Sequence, residues 1–270
     1  MNMGSKVEII SSRQNDRIKN LIHLQKSSER RKQGVFIVEG IKEIEKAVVS
    51  DYKIDSAYFC PEIVEYSEVE KIVGKVKNIN LFQVTHDVYS KVAYRENAGG
   101  LIIVAKPRQH LLENINVEDN PLLLVIEGVE KPGNIGAILR TADAAGISGI
   151  IICDPLTDLY NPNTIRASLG CVFTQSIALC SSVEAIGWLK KKGIQIIATH
   201  LRASKPYFQI DFTLPSAIVM GTEATGITET WIDTADDTVI IPMRGIADSL
   251  NVSTASAIML FEACRQRYYQ

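Results

Sequence analysis

The second half of the chain contains short apolar runs that are separated by segments of helical periodicity. These runs are LLLVIEG at 122–128, GIIICD at 149–154, IQIIATH at 194–200, AIVMG at 217–221 and TVIIP at 238–242. A strand of a parallel sheet is covered on both faces, so its sequence is apolar almost throughout rather than alternating. Strands of this kind, alternating with helices, predict an α/β fold with a doubly wound parallel sheet.

The first hundred residues predict a smaller α/β unit. Residues 12–33 have helical periodicity, with Ser12 or Asn15 as the cap, and 41–50 predict a second helix. Strands are expected at 34–40, 56–60, 80–84 and 99–106. Residues 107–120 are polar and contain a proline, which is typical of a connection. We therefore predict domains at 1–108 and 120–270, joined by a linker at 109–119.

Composition excludes several classes of protein. Hydrophobic residues make up 46% of the 270 residues and charged residues 22%, as in globular domains. No apolar run is long enough for a membrane span, and the first twenty residues are too polar for a signal peptide. The five cysteines include no CxxC pair and the four histidines are isolated, so we expect no disulfide and no metal. A cytoplasmic location fits this pattern.

Positive charge is concentrated at the N-terminus. Residues 1–34 hold eight basic and three acidic side chains, although the net charge of the whole chain is −2. Such a patch fits a polyanionic partner that is met at one face, and a solvated helix face is the alternative. The candidate contacts for such a partner, for example a nucleic acid, are Arg13, Arg17, Lys19, Arg30, Arg31 and Lys32.

Three segments follow predicted strands and carry polar residues in glycine-rich loops, where α/β proteins bind ligands. The first runs from Glu130 to Ala142 and includes Asn134 and Arg140; considered alone, such an arginine more often forms a surface salt bridge. The second, residues 218–226, places Glu223 between two glycines, and a tight turn with an exposed acid is the alternative.

The third segment, residues 241–255, leads into the last predicted helix, which spans about 249–268. Asp248 or Ser249 would be ordinary N-caps for that helix. Asn251 and Ser253 would then fall just inside it, where these residue types are unfavourable. Residues with low helix propensity that are kept at the start of a helix, directly after a strand, indicate a functional position.

Together, the three segments resemble the three motifs of the SpoU family of RNA ribose methyltransferases, within the SPOUT superfamily. The matching patterns are Asn134-x-Gly136-x-x-x-Arg140-Thr141-Ala142, Gly221-Thr222-Glu223-x-x-Gly226, and Ile241-Pro242-Met243 followed by Ser249-Leu250-Asn251-Val252-Ser253. Their order and spacing agree over residues 120–270. Two N-terminal stretches, Ser12-Arg13-Gln14-Asn15 to Ile18-Lys19 and Phe36-Ile37-Val38-Glu39-Gly40, are similar to the substrate-binding domain that many members carry. That domain resembles RNA-binding ribosomal proteins. Many relatives have a Gln-Gly dipeptide before its last strand, where this sequence has Ala98-Gly99-Gly100.

The resemblance implies a fold and a chemistry. The fold would be a parallel sheet with a trefoil knot, in a homodimer, and the activity would be 2′-O-methylation of ribose in RNA, most simply ribosomal RNA, with S-adenosylmethionine as cofactor. The implied catalytic residues are Arg140, Asn134, Glu223, Asn251 and Ser253. The implied cofactor-binding residues are Thr199, His200, Leu201, Gly221, Ile241, Met243 and Leu250.

The role of Arg140 has two interpretations. The resemblance assigns it to activation of the ribose hydroxyl. A guanidinium has a pKa above about 12, so a base at this position would need a strongly altered environment. Alternatively, Arg140 grips a neighbouring phosphate and lowers the pKa of the hydroxyl electrostatically. A transfer RNA substrate and an inactive RNA-binding protein of the same fold are the alternative functions.

Overall fold

The computed structural model describes residues 7–94, 99–117, 120–222 and 225–269. They form two compact units. The first comprises the described residues up to Arg108 together with Leu159–Thr174, and the second comprises the remainder. The segment Leu159–Thr174 thus clusters with the N-terminal unit, although it lies within the predicted domain 120–270. The domain boundaries themselves stay predictions.

The described strands and helices alternate along most of the chain. The strands are β1 (Glu8–Ile10), β2 (Phe36–Glu39), β3 (Ile54–Phe59), β4 (Asn80–Val84), β5 (Leu101–Ala105), β6 (Leu122–Glu127), β7 (Gly149–Cys153), β8 (Ile177–Cys180), β9 (Gln195–Thr199), β10 (Lys205–Pro206), β11 (Ser216–Met220) and β12 (Asp237–Ile240). The helices are α1 (Asp16–His23), α2 (Ser27–Gln33), α3 (Ile41–Val49), α4 (Tyr66–Val73), α5 (His86–Val92), α6 (Pro132–Ala145), α7 (Pro162–Ala167), α8 (Cys171–Thr174), α9 (Ser182–Lys191), α10 (Glu229–Thr234) and α11 (Val252–Tyr268).

The first unit is built on a five-stranded mixed sheet in the order β1-β4-β3-β5-β2. Strand β5 is antiparallel to both β3 and β2, whereas β1, β4 and β3 are parallel. Ile18 and Leu21 of α1 pack into one core with Tyr58 and Tyr89. The unit also contains an aromatic cluster, in which Phe36 stacks on Tyr160 with ring centroids 4.1 Å apart.

The single helix predicted at 12–33 is wrong, because the structure has two helices there. Asn15 caps α1, as its side-chain oxygen accepts a hydrogen bond from the backbone N–H of Arg17 at 2.9 Å. The chain leaves the helical path after His23. Arg30 in α2 then donates from Nη1 to the carbonyl oxygens of Leu24 and Gln25, both at 2.8 Å. The buried guanidinium thus satisfies carbonyls that a continuous helix would have bonded.

The second unit is built on a seven-stranded sheet in the order β10-β12-β9-β11-β6-β7-β8. All of its neighbouring strands are parallel. The α/β fold with a parallel sheet is therefore confirmed, and every residue of β6, β7 and β11 is buried. Helices α6 and α11 pack against each other. The trefoil knot stays a prediction.

A parallel sheet brings the carboxyl ends of its strands to one edge. The three segments singled out in the sequence follow β6, β11 and β12, so they all start at this edge. None of the described helices is both long enough and apolar enough to cross a membrane.

Candidate active site

A cavity of about 330 Å³ lies at the carboxyl edge of the seven-stranded sheet. It is bounded by the residues that follow β9, β11 and β12 and by the start of α11. We call it the donor cavity. All seven residues predicted to bind the cofactor line it, namely Thr199, His200, Leu201, Gly221, Ile241, Met243 and Leu250. The structure thus brings the seven residues together at one cavity, and their role in binding the cofactor stays a prediction.

The wall of the donor cavity is tight at Gly221. Thr222 and Gly226 exchange two backbone hydrogen bonds, of 3.1 and 3.0 Å, which closes the loop after β11. A Cβ atom added to Gly221 would overlap the backbone of Gly226 and Ile227. Only glycine therefore permits this approach. Backbone groups and apolar side chains such as Met243 and Leu250 make a surface suited to a ligand without phosphates.

A second cavity, of about 450 Å³, lies beside the first. We call it the acceptor cavity. It is formed by the ends of β6 and β7 and by the first turn of α6, which contributes Asn134. Four residues, Thr222, Thr225, Gly226 and Val252, belong to the walls of both cavities. The three sequence segments therefore converge on two cavities with a common wall.

Asn134, Asn251 and Ser253 come together at the start of α11. Asn251 donates from Nδ2 to Oδ1 of Asn134 at 3.3 Å, and its own Oδ1 accepts from the backbone N–H and the hydroxyl of Ser253, at 3.0 and 2.6 Å. The helix begins at Val252 rather than near 249, so the expected caps Asp248 and Ser249 are wrong and Asn251 is the N-cap. Its residue type is therefore favourable where it lies.

Of the other two predicted catalytic residues, only Arg140 is among the residues that the structure describes. Arg140 is exposed, near the middle of α6, and lines neither cavity among the described residues. Its Cα lies about 9 Å further along the helix axis than that of Asn134, at 1.5 Å per residue. Glu223 lies outside the described residues. The catalytic roles of all five residues stay predictions.

The sequence analysis missed a buried carboxylate. Glu127, at the end of β6, is 6% exposed and lines the acceptor cavity. Its Oε1 accepts from the hydroxyls of Thr228 and Ser182, at 2.8 and 2.9 Å, and its Oε2 accepts from the backbone N–H of Thr228 at 2.7 Å. Trp231 Nε1 donates to Ser182 Oγ at 3.0 Å. A carboxylate that ends a wholly apolar strand is the signal that could have identified it.

Two cysteines lie side by side near this network. Cys153 of β7 and Cys180 of β8 are paired in register. A hydrogen bond with the Cys153 thiol holds the pKa of Cys180 below its usual range. The same hydrogen bond, together with burial, raises the pKa of Cys153. Within the part of the chain that the structure describes, no group of three His, Cys, Asp or Glu side chains is arranged to hold a metal ion.

The predicted RNA contacts of the N-terminal unit separate into exposed and buried residues. Arg31 and Lys32 are exposed on α2. Arg17 lies over the ring of Phe82, 4.6 Å from its centroid. Lys19 lies 3.8 Å from Asp16, and Arg13 is bonded to the carboxylate of Asp87.

Arg30 is a correction to the predicted RNA surface. It is 4% exposed, and its Nη1 is engaged by the two carbonyl oxygens described above. A guanidinium held in this way stabilises the turn between α1 and α2 and does not face solvent. The predicted cationic surface is therefore reduced to its exposed members.

Comparison with known proteins assigns a family to most of the chain. Residues 121–261, more than half of the 270, match the model of the SpoU rRNA Methylase family, and residues 15–103 match that of the MRM3-like substrate binding domain. The chain is 36% identical to the 23S rRNA (guanosine-2′-O-)-methyltransferase RlmB of Vibrio parahaemolyticus, over 72% of this chain and 81% of that protein.

Two further relatives match over nearly the whole length. The 23S rRNA (guanosine(2553)-2′-O)-methyltransferase RlmP of Bacillus subtilis is 27% identical over 93% of this chain and 97% of that protein. The AdoMet-bound crystal structure of an rRNA methyltransferase from Sinorhizobium meliloti has a TM-score of 0.89 and 32% identity, and covers 98% of this chain and 99% of that one. The resemblance inferred from the three motifs is confirmed: the chain belongs to the SpoU rRNA methylase family.

Proposed function

We propose that this protein transfers the methyl group of S-adenosylmethionine to a ribose 2′-hydroxyl of ribosomal RNA. The observation that carries the proposal is the convergence of three distant segments on two cavities with a common wall. We assign one cavity to the methyl donor and the other to the acceptor. The similar proteins named as 23S rRNA 2′-O-methyltransferases and the similar structure with bound AdoMet support the same reaction.

The residues of the donor cavity fit the cofactor. Its volume of about 330 Å³ lies within the range of pockets that bind small molecules. Ile241, Met243 and Leu250 would cover the apolar faces of an adenosine, and the side chain that is missing at Gly221 leaves room for it. When bound, S-adenosylmethionine supplies a methyl group already activated by a sulfonium. The chain itself must align the acceptor oxygen and help to remove its proton.

On the acceptor side, the Asn134–Asn251 pair and Ser253 would position the ribose. Arg140 would lower the pKa of the hydroxyl, through a neighbouring phosphate or by direct contact. Since Arg140 lines neither cavity of its own chain, we propose a homodimer in which it reaches the site of the opposite subunit. The exposed basic residues of the N-terminal unit would hold the RNA backbone, and the cytoplasm would be the compartment of the reaction.

Methyl transfer is tested with purified protein, radiolabelled S-adenosylmethionine and an unmodified 23S rRNA transcript. We expect label at one nucleotide whose 3′ phosphodiester resists alkaline hydrolysis, because a 2′-O-methyl group blocks that cleavage. Arg140→Ala should abolish incorporation while leaving folding and cofactor affinity unchanged. Label on a base, or none in RNA, would contradict the proposal.

The shared site is tested by mixing two inactive variants. Arg140→Ala and Asn251→Ala subunits should each lack activity alone, but a mixed dimer would contain one site with both residues intact. Recovery of up to about one quarter to one half of the wild-type rate after co-refolding supports the dimeric site. No recovery in a mixture that demonstrably exchanges subunits contradicts it.

A further inference from the structure

We propose that the acceptor cavity receives the base of the target nucleotide and that Asp154 selects guanine there. The inference rests on the proposed function and names the substrate class of that site. Asp154 ends the apolar run at 149–154 and belongs to none of the three SpoU-like motifs, and its chemistry differs from that of the residues proposed to position the ribose.

The position of the cavity is the first argument. Transfer requires the attacking oxygen to approach the methyl carbon to about 3–3.5 Å, so the acceptor must enter from a space that adjoins the donor. The acceptor cavity adjoins the donor cavity through Thr222, Thr225, Gly226 and Val252. A nucleotide placed in it would lie against the same wall as the methyl donor.

The lining is the second argument. RNA-modifying proteins commonly take unstacked bases, pack their faces against side chains and bond to their edges. Leu156 lies at this cavity and is 64% exposed, while Val129 and Val252 are buried in its wall. These residues offer apolar contact to the faces of a base. The volume of about 450 Å³ is within the range of ligand pockets.

The carboxylate of Asp154 supplies the third argument. Its Oδ2 accepts a hydrogen bond from the backbone N–H of Ser182 at 3.1 Å and lies 2.7 Å from Ser182 Oγ, whose single hydroxyl proton it shares with Glu127 Oε1. The side chain is therefore held in one orientation at the cavity wall. Among the described residues, no hydrogen bond is made to Oδ1, so this oxygen keeps its acceptor capacity for a ligand. A carboxylate accepts and does not donate, so its partner must present N–H groups.

Guanine meets that requirement best among the bases. It carries N1–H and the N2 amino group side by side on one edge. Adenine and cytosine present one amino group beside an acceptor ring nitrogen, which a carboxylate repels, and uracil offers only N3–H between two carbonyl oxygens. The charged side chains of the wall differ between its two sides: Lys131 lies at the start of α6, where an anionic phosphate is favoured, whereas Asp154 and Glu127 follow or end β7 and β6. The base therefore lies with its donor edge towards Asp154, and the phosphates of the target nucleotide lie away from the two carboxylates.

The test is Asp154→Asn, a nearly isosteric change. Asp154 has φ +48°, in the left-handed region, which asparagine also adopts readily. The amide oxygen of asparagine can keep the two bonds from Ser182, while its NH₂ group replaces the second acceptor by a donor. We expect kcat/KM for the RNA to fall at least tenfold, with cofactor affinity and melting temperature unchanged.

Asp211→Asn is the matched control. Asp211 also accepts from the backbone N–H and hydroxyl of one residue, Thr213, at 2.9 and 2.5 Å, but it is not among the residues that line either cavity. Wild-type kcat/KM is expected for this variant. Replacing the mapped guanosine by inosine, which lacks the N2 amino group, should slow the wild type and have little further effect on Asp154→Asn.

An acceptor that maps to another base, or an unchanged kcat/KM in Asp154→Asn, overturns the assignment of guanine. If the wild-type protein methylates no RNA, the proposed function is contradicted, and this result is distinguishable from a failure of the guanine assignment. The cavity is then tested without methyl transfer, by saturation-transfer NMR with free guanosine. Binding by the wild type that is lost in Asp154→Asn supports the inference, and equal signals contradict it.

Discussion

Asn251 and Asn134, which are 117 positions apart, are joined by a hydrogen bond of 3.3 Å between their side-chain amides. Asn251 has a second task, because its Oδ1 accepts from the backbone N–H of Ser253 and caps α11. One side chain thus starts the last helix and ties it to the first turn of α6. Its two tasks use different atoms, so they are separable by mutation.

Asn251→Asp should keep the cap and remove the amide donor to Asn134. Asn251→Ala should remove both. We expect Asn251→Ala to lower the free energy of unfolding by about 0.5–2 kcal/mol, the usual cost of losing such a cap, and Asn251→Asp to have a smaller effect. Both should lose most methyl transfer. Urea unfolding and single-turnover kinetics measure the two effects, and full activity in Asn251→Asp would show that the bond to Asn134 is not needed.

Gly221→Ala should abolish binding of S-adenosylmethionine. The new Cβ would overlap the backbone of Gly226, so the loop that forms part of the donor cavity must move. Gly187→Ala is the control, since Gly187 lies in α9 with no neighbouring atom within 4 Å of an added Cβ. That variant should bind normally and gain up to about 1 kcal/mol in stability. Calorimetric titration measures the affinities, and tight binding by Gly221→Ala would contradict the assignment of the cavity.

Arg30→Met should destabilise the protein, because the carbonyl oxygens of Leu24 and Gln25 lose a charged hydrogen-bond donor. The expected loss is about 1.5–3 kcal/mol in the free energy of unfolding. The double variant Arg31→Glu/Lys32→Glu should instead retain stability, since both side chains are exposed.

The same double variant should weaken RNA binding and reduce the slope of log affinity against log salt concentration by roughly 1–2. Filter binding between 50 and 300 mM salt provides the measurement. A salt slope that equals that of the wild type would remove Arg31 and Lys32 from the RNA surface.

Cys180 should be the first cysteine to be alkylated. Its pKa is lowered by the hydrogen bond with Cys153, so more of it is thiolate near neutral pH. Cys153→Ala removes that bond, which raises the pKa of Cys180 and should slow its reaction below about pH 9. Iodoacetamide labelling followed by peptide mass spectrometry tests this, with Cys264→Ala as control. Equal rates with and without Cys153 would show that the thiol pair is not responsible.

The parallel sheet was predictable because β6, β7 and β11 are covered on both faces and their sequences are apolar throughout. The short strand β8 was not predicted, since its four residues are flanked by polar ones and carry little periodicity. The two helices at 16–33 were predicted as one. Their separation depends on the buried bonds of Arg30, which no local pattern reveals.

The site was predictable to the extent that its residues lie in motifs. All seven predicted cofactor residues line one cavity, and Asn134 meets Asn251. Glu127 and Asp154 were missed because their importance depends on Ser182, which lies on another element and approaches only in the folded chain. The sequence of the basic run Arg30-Arg31-Lys32 likewise did not show that Arg30 is buried while Arg31 and Lys32 are exposed.

The common wall of the two cavities has a thermodynamic consequence. A ligand that fills one space and shifts Thr222 or Gly226 changes the shape of the other. Linkage then requires each substrate to alter the affinity of the other by the same factor, whichever binds first. In the proposed reaction, the wall at Thr222 and Gly226 would therefore link the affinity for the methyl donor to the affinity for RNA, and likewise the affinities for the spent cofactor and the modified RNA.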